Sequence, residues 1–374
     1  MAGEIGGTLA IKWRFGGAMG GGHNPPVTLD ACPCCAPASQ PDSHACYWSH
    51  LKLSDDGQEL KWFADHGARV ADIALNSAGT QLYIANDPAV QGYNSKAIRR
   101  LDLSSGIIWS AAGASAFADG GCLAVMSNGD IVAAVNSNAG IFTPKLTRRA
   151  AADGAIVWSV TISGANITSA CVDSSDNIYI AHGNPGTVEK YDSSGASLAV
   201  AAIGGGTNRI ARAVATDSTN VVIVGNDGGS GGDGFNVHAR AVALSGSTFA
   251  WKVSTGQQAT GVAIGPNGNA VVVGDRVAVP GFPAQRWTTI CYNSSGAVQW
   301  FADHGADVNG VAIDSSNNVY TVGEKVDRVT TRKYNSSGVL QWSHDYTYGY
   351  FGSASCVACD NAGNVYVGGS WIQG

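Results

Sequence analysis

Residues 310–323 read G-V-A-I-D-S-S-N-N-V-Y-T-V-G. Two short runs of Val, Ile, Ala and Tyr flank a D-S-S-N-N turn, the pattern of a tight β-hairpin. Residues 330–342, T-T-R-K-Y-N-S-S-G-V-L-Q-W, give a second hairpin around an S-S-G turn. Together they make four strands that end on Trp342. The same unit recurs along the chain, and recurrence at a fixed period specifies a repeat architecture ahead of any single motif.

First hairpins fall at 72–85, 121–134, 169–181, 213–225, 261–274, 310–323 and 356–369. Second hairpins end at Trp62, Trp109, Trp158, Ala199, Trp251, Trp300 and Trp342. That is seven of each. Trp62 to Trp109 is 47 residues and Trp300 to Trp342 is 42, within the roughly 40–50 residues of a propeller blade. The array is offset by half a unit: it opens with an outer hairpin and closes with an inner one. Neither half buries its faces or satisfies its edges alone. The expectation is an all-β, seven-bladed β-propeller with four-stranded blades, its ring closed by pairing residues near 46–62 with residues near 356–369. Runs such as 178–180, 221–224 and 271–273 are apolar at every position, as strands covered on both faces by neighbouring blades require. The recurring Trp is expected to be buried between blades, with Trp109, Trp158, Trp300 and Trp342 as equivalents.

Blocks such as 349–368, G-Y-F-G-S-A-S-C-V-A-C-D-N-A-G-N-V-Y-V-G, and 308–323 carry a resemblance to a known class. They resemble the bacterial and phage β-propeller repeats, of which the NHL repeat is a near relative. The resemblance covers residues 45–370. It implies the fold, and it leaves the activity open, because such repeats serve enzymes, sugar binders and scaffolds alike.

Composition narrows the field. Charged residues are 13% of the 374, against roughly 25% in ordinary globular domains. A net charge of −6 speaks against a nucleic-acid surface. No stretch reaches the ~18 apolar residues of a membrane helix, and no secretory signal pattern opens the sequence.

Residues 1–45 do not match the repeat and read as an N-terminal arm, followed by the propeller at 46–374. Leu9, Ile11, Trp13 and Phe15 alternate with Ala10, Lys12 and Arg14, which suits one amphipathic strand that needs a sheet edge or apolar groove. These four are the candidate docking residues. Because ring closure already holds the disc together, an edge in another molecule is preferred over one in the same chain. Cys32, Cys34, Cys35 and Cys46 form the only dense thiol cluster, with His23, His44 and His50 nearby. Zinc and a disulfide to Cys46 both stand as readings; the C-P-C-C spacing disfavours a single tetrahedral ion. Cys122, Cys171 and Cys356 read as small buried apolar residues.

The hairpin turns are short and alike, whereas the connections at 86–95, 136–144, 226–237, 275–287 and 345–353 vary. Binding residues concentrate in such varied loops. Asp65, His66, Tyr93, Trp287, Asp303, His304, Tyr346, Tyr348 and Tyr350 are therefore the candidate binding residues of a loop-rich face. The heptapeptide W-F-A-D-H-G-A occurs twice, at 62–68 and 300–306. An acid–base reading of its Asp–His pairs competes with a turn in which Asp caps backbone amides. The turn is preferred, because no nucleophile or second carboxylate accompanies the pair at a fixed spacing. The turn aspartates of the D-S-S-N-N series read as structural Asx residues. Asp233 sits in a single G-G-S-G-G-D-G-F-N stretch that fits one calcium nonapeptide, where that class stacks several; a flexible loop is preferred. No cofactor is expected.

The functional expectation is a non-enzymatic binding or structural propeller: a phage virion component, tail- or fibre-associated, made without a signal peptide. It would dock on other virion proteins or copies of itself through the arm, with no nucleic acid and no membrane span. A carbohydrate-binding propeller is the alternative, with an extracellular or cell-surface location, and a propeller lyase or quinoprotein-type enzyme stands third.

Overall fold

The computed structural model describes residues 27–28, 48–53, 60–65, 69–87, 98–103, 106–111, 118–137, 144–162, 166–183, 186–203, 210–226, 235–241, 251–254, 259–279, 282–305, 307–325, 328–347 and 352–371. Among these residues the regular elements are all strands, and they fall into seven sheets. The sheet at 307–347 runs Asp307–Ile313, Val319–Lys325, Arg328–Tyr334, Leu340–Thr347, each strand antiparallel to the next. The D-S-S-N-N turn joins Ile313 to its partner Val319, and the N-S-S-G turn joins Tyr334 to its partner Leu340. Sheets at 69–111, 118–161, 167–202, 210–254 and 259–302 repeat this order.

The remaining sheet joins the two ends of the sequence. Gly352–Cys359 and Val365–Trp371 are followed, across the sheet, by Trp48–Leu53 and Leu60–Asp65. His50 pairs with Gly368, Leu51 with Val367 and Leu53 with Val365, all antiparallel.

The core lies between sheets rather than within one. Tyr83, Ala85, Ile98 and Trp109 pack on Leu123, Ile131 and Ala133 of the next sheet. Tyr320, Val322 and Val329 meet Ala354, Val357 and Val367. Val70, Ile73, Leu82 and Ile84 meet Cys356 and Tyr366. Residues 178–180, 221–224 and 271–273 are buried along their whole length, as their unbroken apolar sequence requires. Each first strand packs beside the first strand of the following sheet. The arrangement is a β-propeller of four-stranded antiparallel blades.

Every first strand carries one extra residue against its partner, with shifts of register at Val70/Asp72, Asp119/Gly121, Ile167/Ser169, Ala211/Ala213, Ala259/Gly261, Val308/Gly310 and Ala354/Cys356. A bulge bends and twists a strand locally. Three of the polar extra residues also reach the next blade. Thr168 Oγ1 donates to Ala211 O at 2.8 Å, Thr260 Oγ1 to Val308 O at 2.6 Å, and Asn309 Nδ2 to Ala354 O at 2.9 Å.

The turns between first and second strands are linked too. Asp176, Ser218 and Asn317 are non-glycine residues with positive φ, at 61°, 68° and 63°. Each accepts a hydrogen bond from the preceding blade: Asp176 from the Ser127 amide and hydroxyl, Ser218 from the Ser174 amide, Asn317 from the Asn267 amide. Left-handed backbone costs a non-glycine residue about 1–2 kcal/mol, and an interblade bond offsets it. Asp176→Gly relieves the strain while losing the bonds, so its net effect should be within about 1 kcal/mol of zero. Asp176→Ala loses the bonds and keeps the strain, for a loss of about 2 kcal/mol. Equal urea midpoints for the two variants would sink the trade-off.

Candidate functional site

Most of the predicted loop face lies outside the described residues, including His66, Tyr93, Tyr348, Tyr350 and Asp233. So do the arm residues Leu9, Ile11, Trp13 and Phe15 and the cluster of Cys32, Cys34, Cys35 and Cys46. Three predicted loop residues belong to strands instead. Asp65 ends Leu60–Asp65 opposite Trp48, and Tyr346 pairs with Val329. Trp287 pairs with Val277, because Ala270–Val279 and Phe282–Tyr292 run on as a long hairpin where the sequence reading had a loop at 275–287. The period-2 content of D-R-V-A-V and the aromatic at Trp287 were the available signal, outweighed by the Pro residues at the tip. Among the described residues no three His, Cys, Asp or Glu side chains converge to hold a metal ion. Cys122 and Cys356 are buried in first strands and Cys171 is half-buried; burial raises the thiols of Cys122 and Cys171.

The turn aspartates form a repeated device. Asp173 Oδ1 accepts from the Ser175 and Asn177 amides, while Oδ2 accepts from Asn177 Nδ2 and the Tyr179 hydroxyl, at 2.8–2.9 Å. Asp314 does the same with Ser316, Asn318 and Tyr320, and Asp360 with Ala362, Asn364 and Tyr366. Each closes its turn and anchors the hydroxyl of a fully buried tyrosine. At Asp173, burial raises the pKa, but hydrogen bonds from Asn177 and Tyr179 outweigh it and hold the carboxylate below its ordinary range. With both oxygens engaged, these groups serve the fold.

His304 departs from both sequence readings. It lies in the link between the 259–302 and 307–347 sheets and is 1% exposed. Its amide donates to Thr288 Oγ1 at 2.8 Å, Nδ1 meets Thr321 Oγ1 at 3.0 Å, and Nε2 meets Thr330 Oγ1. All three threonines are buried. Asp303 caps the turn by accepting the Gly305 amide at 2.7 Å, as the Asx reading has it, and its carbonyl accepts Arg332 Nη1. Burial, with a smaller push from Arg332, lowers His304 to about 3. The ring is a neutral peg between two blades, far from the range in which an acid–base group works at neutral pH.

The arm makes one described contact. Val27–Thr28 lies parallel to the outer edge of the 307–347 sheet, Val27 opposite Tyr346 and Thr28 opposite Thr347. The added strand is therefore on an edge of this same chain. The outer edge of a blade presents unpaired amides and carbonyls, and an extended segment satisfies them. What the geometry offers is thus edges and faces for association.

No protein-family model and no curated protein matches the sequence. Among solved structures, the WD40 β-propeller domain of Doa1 is similar, with a TM-score of 0.57 and 11% identity over 87% of this chain and 96% of that one. At that identity the likeness speaks for the fold alone, a β-propeller.

Proposed function

We propose that this chain is a non-enzymatic binding propeller, a closed ring of seven blades that docks into a larger body by its N-terminal arm and presents its loop-rich face. In concrete form it is a tail- or fibre-associated component of a phage virion. Kinship with the bacterial and phage propeller repeats belongs to the same proposal, supported by the D-x-x-x-N-x-Y turns at Asp173, Asp314 and Asp360. Ring closure is supported by the pairing of Trp48–Leu53 with Val365–Trp371 and by the shared core of Val70, Ile73 and Cys356.

The observation that carries the docking role is the Val27–Thr28 strand on an outer edge. It anchors the middle of the arm and leaves the amphipathic Leu9–Phe15 stretch upstream for a partner. Removing residues 1–43 should leave a folded disc, by circular dichroism and melting, that no longer enters purified particles when assayed by mass spectrometry. Unchanged incorporation, or absence of the full-length chain from virions, would overturn the proposal.

A further inference from the structure

All the exposed large apolar residues among the described residues belong to the outer-edge strands or to the residue just before one. The edge strands share a detail that organises them. Just before the recurring Trp position the fourth strand carries one extra residue, at register shifts Lys52/Leu53, Arg100/Leu101, Arg148/Arg149, Lys190/Tyr191, Cys291/Tyr292 and Lys333/Tyr334. In three consecutive sheets that residue is apolar: Ile108, Val157 and Leu198, exposed by 43%, 52% and 53%. In the other three it is Lys61, Gln299 or Gln341. The second and third sheets of the arc double the exposure with Ile156 and Val200, at 49% and 57%. Polar residues at this position are what an edge needs to stay unpaired. All three edges of this arc lack them, and the two with doubled exposure, 156–161 and 197–202, end their sheets with no further strand among the described residues.

The arm leaves from the opposite side. Val27–Thr28 runs parallel to Leu340–Thr347, so the residues before Val27 head toward the Leu340 end of that edge. Following the packing order of the first strands, the 307–347 sheet lies three sheets from 118–161 in one direction and three from 167–202 in the other. Four strands spaced about 4.8 Å apart outside a central channel put the edges at a radius of roughly 20 Å; three of seven sheets then span roughly 55 Å of perimeter, or roughly 39 Å straight over a face of the disc plus the climb over both rims. Eleven residues separate Phe15 from Val27, so the reach between the two is about 40 Å at full extension. The Leu9–Phe15 strand therefore falls short of these two edges in its own chain, while the same edges of a second copy are open to it.

We infer that the apolar edges at Val157 and Leu198 take the Leu9–Phe15 strand of a second copy of this chain. The inference rests on the closed ring and the docking arm proposed above, and it names the partner. Alternating Leu9, Ile11, Trp13 and Phe15 supply one apolar face, and the edge supplies the backbone hydrogen bonds. Arm and receiving edge are different surfaces, so the contact is head-to-tail and propagates into a ring or a filament.

The test uses the full chain and two variants. One carries Ile11→Asp and Trp13→Asp. The other carries Val157→Gln and Leu198→Gln, the residue type already present at the same position in Gln299 and Gln341, so folding is retained and is checked by melting. Light scattering over a concentration series should find the full chain in species larger than a monomer and each variant monomeric. Mixed one to one, the variants should form a dimer, and with the arm-bearing variant in excess a complex of three chains at most, because one keeps only its two edges and the other only its arm. A monomeric full chain, assembly of the glutamine variant like the parent, or no dimer on mixing would each overturn the inference; the last result points to an arm folded on its own chain. Incorporation of the glutamine variant into particles from which the 1–43 deletion is excluded would retain the docking role and remove the second copy as its partner.

Discussion

Between pH 6.5 and pH 3 the parent chain is expected to lose up to about 5 kcal/mol of stability that a His304→Gln variant does not lose. The cause is the buried ring, lowered from 6.5 to about 3 by desolvation. In the unfolded chain the imidazole takes up a proton below 6.5, whereas the folded chain refuses it until about 3. The unfolded state therefore binds more protons in that window, and stability falls as pH falls. Above 6.5 the contribution is complete. Asp72 works in the opposite direction: burial raises its carboxyl to about 7 despite hydrogen bonds from the Leu123 and Ile73 amides. Its contribution is full below about 3.8 and fades as pH rises toward 7. Comparing parent with variant cancels Asp72 and leaves His304 alone. At pH 7 the variant should be less stable by about 2 kcal/mol, because Thr321 and Thr330 lose well-placed partners inside the protein. By pH 4 the order should reverse. Urea titrations at pH 7, 5.5 and 4 check this; a stability gap that stays constant across them would show that the ring is not held neutral by burial.

The contrast between His304 and the turn aspartates shows where sequence reading reaches and where it stops. Asp173, Asp314 and Asp360 bond to residues two, four and six positions away, so the whole device is written in seven consecutive letters. The hairpins are legible for the same reason. His304 depends on Thr288, Thr321 and Thr330, which lie 16 or more positions away. Its heptapeptide announces a turn and gives no sign that the ring enters the space between blades. The positive-φ residues behave alike: Asp176, Ser218 and Asn317 occupy sites where Gly79 and Gly129 serve elsewhere, and only the neighbouring blade explains the exchange. In the arm, the strongest alternating pattern, Leu9–Phe15, lies outside the described residues, while Val27–Thr28, with no alternating pattern of its own, forms a strand directly after Pro25 and Pro26. Proline favours extended backbone and suits an edge, where one side of the strand needs no partner.

Gly338→Ala is expected to cost about 3 kcal/mol, far more than an exposed turn substitution ordinarily would. Gly338 sits at φ +80° in the N-S-S-G turn, where an added Cβ would lie 2.5 Å from Cδ2 of Trp300 in the preceding blade. Trp300 Nε1 also donates to the carbonyl of Ser336 in that turn, at 3.0 Å. The same lock recurs with Trp109 over Gly154, bonded to Ala151 O, and with Trp158 over Gly195, bonded to Ser193 O. In these three blades the tryptophan is an outer clamp onto the next blade; the expected full burial holds for Trp109, while Trp158, Trp300 and Trp342, on outer strands of their blades, are only half-buried. Two costs add in the Gly338 variant: left-handed backbone for alanine, about 1 kcal/mol, and the clash with the indole, about 2 kcal/mol. They separate in a double-mutant cycle. With Trp300→Ala in place the clash is gone, so Gly338→Ala should then cost only about 1 kcal/mol, a coupling of about 2 kcal/mol between residues in different blades. Additive losses, measured by denaturant titration of the two single variants and the double variant, would mean that the ring and the turn do not hold the blades together. Coupling of the expected size at Gly338, and again at Gly154 with Trp109, would make the Trp–Gly contact the reason this aromatic recurs once per blade.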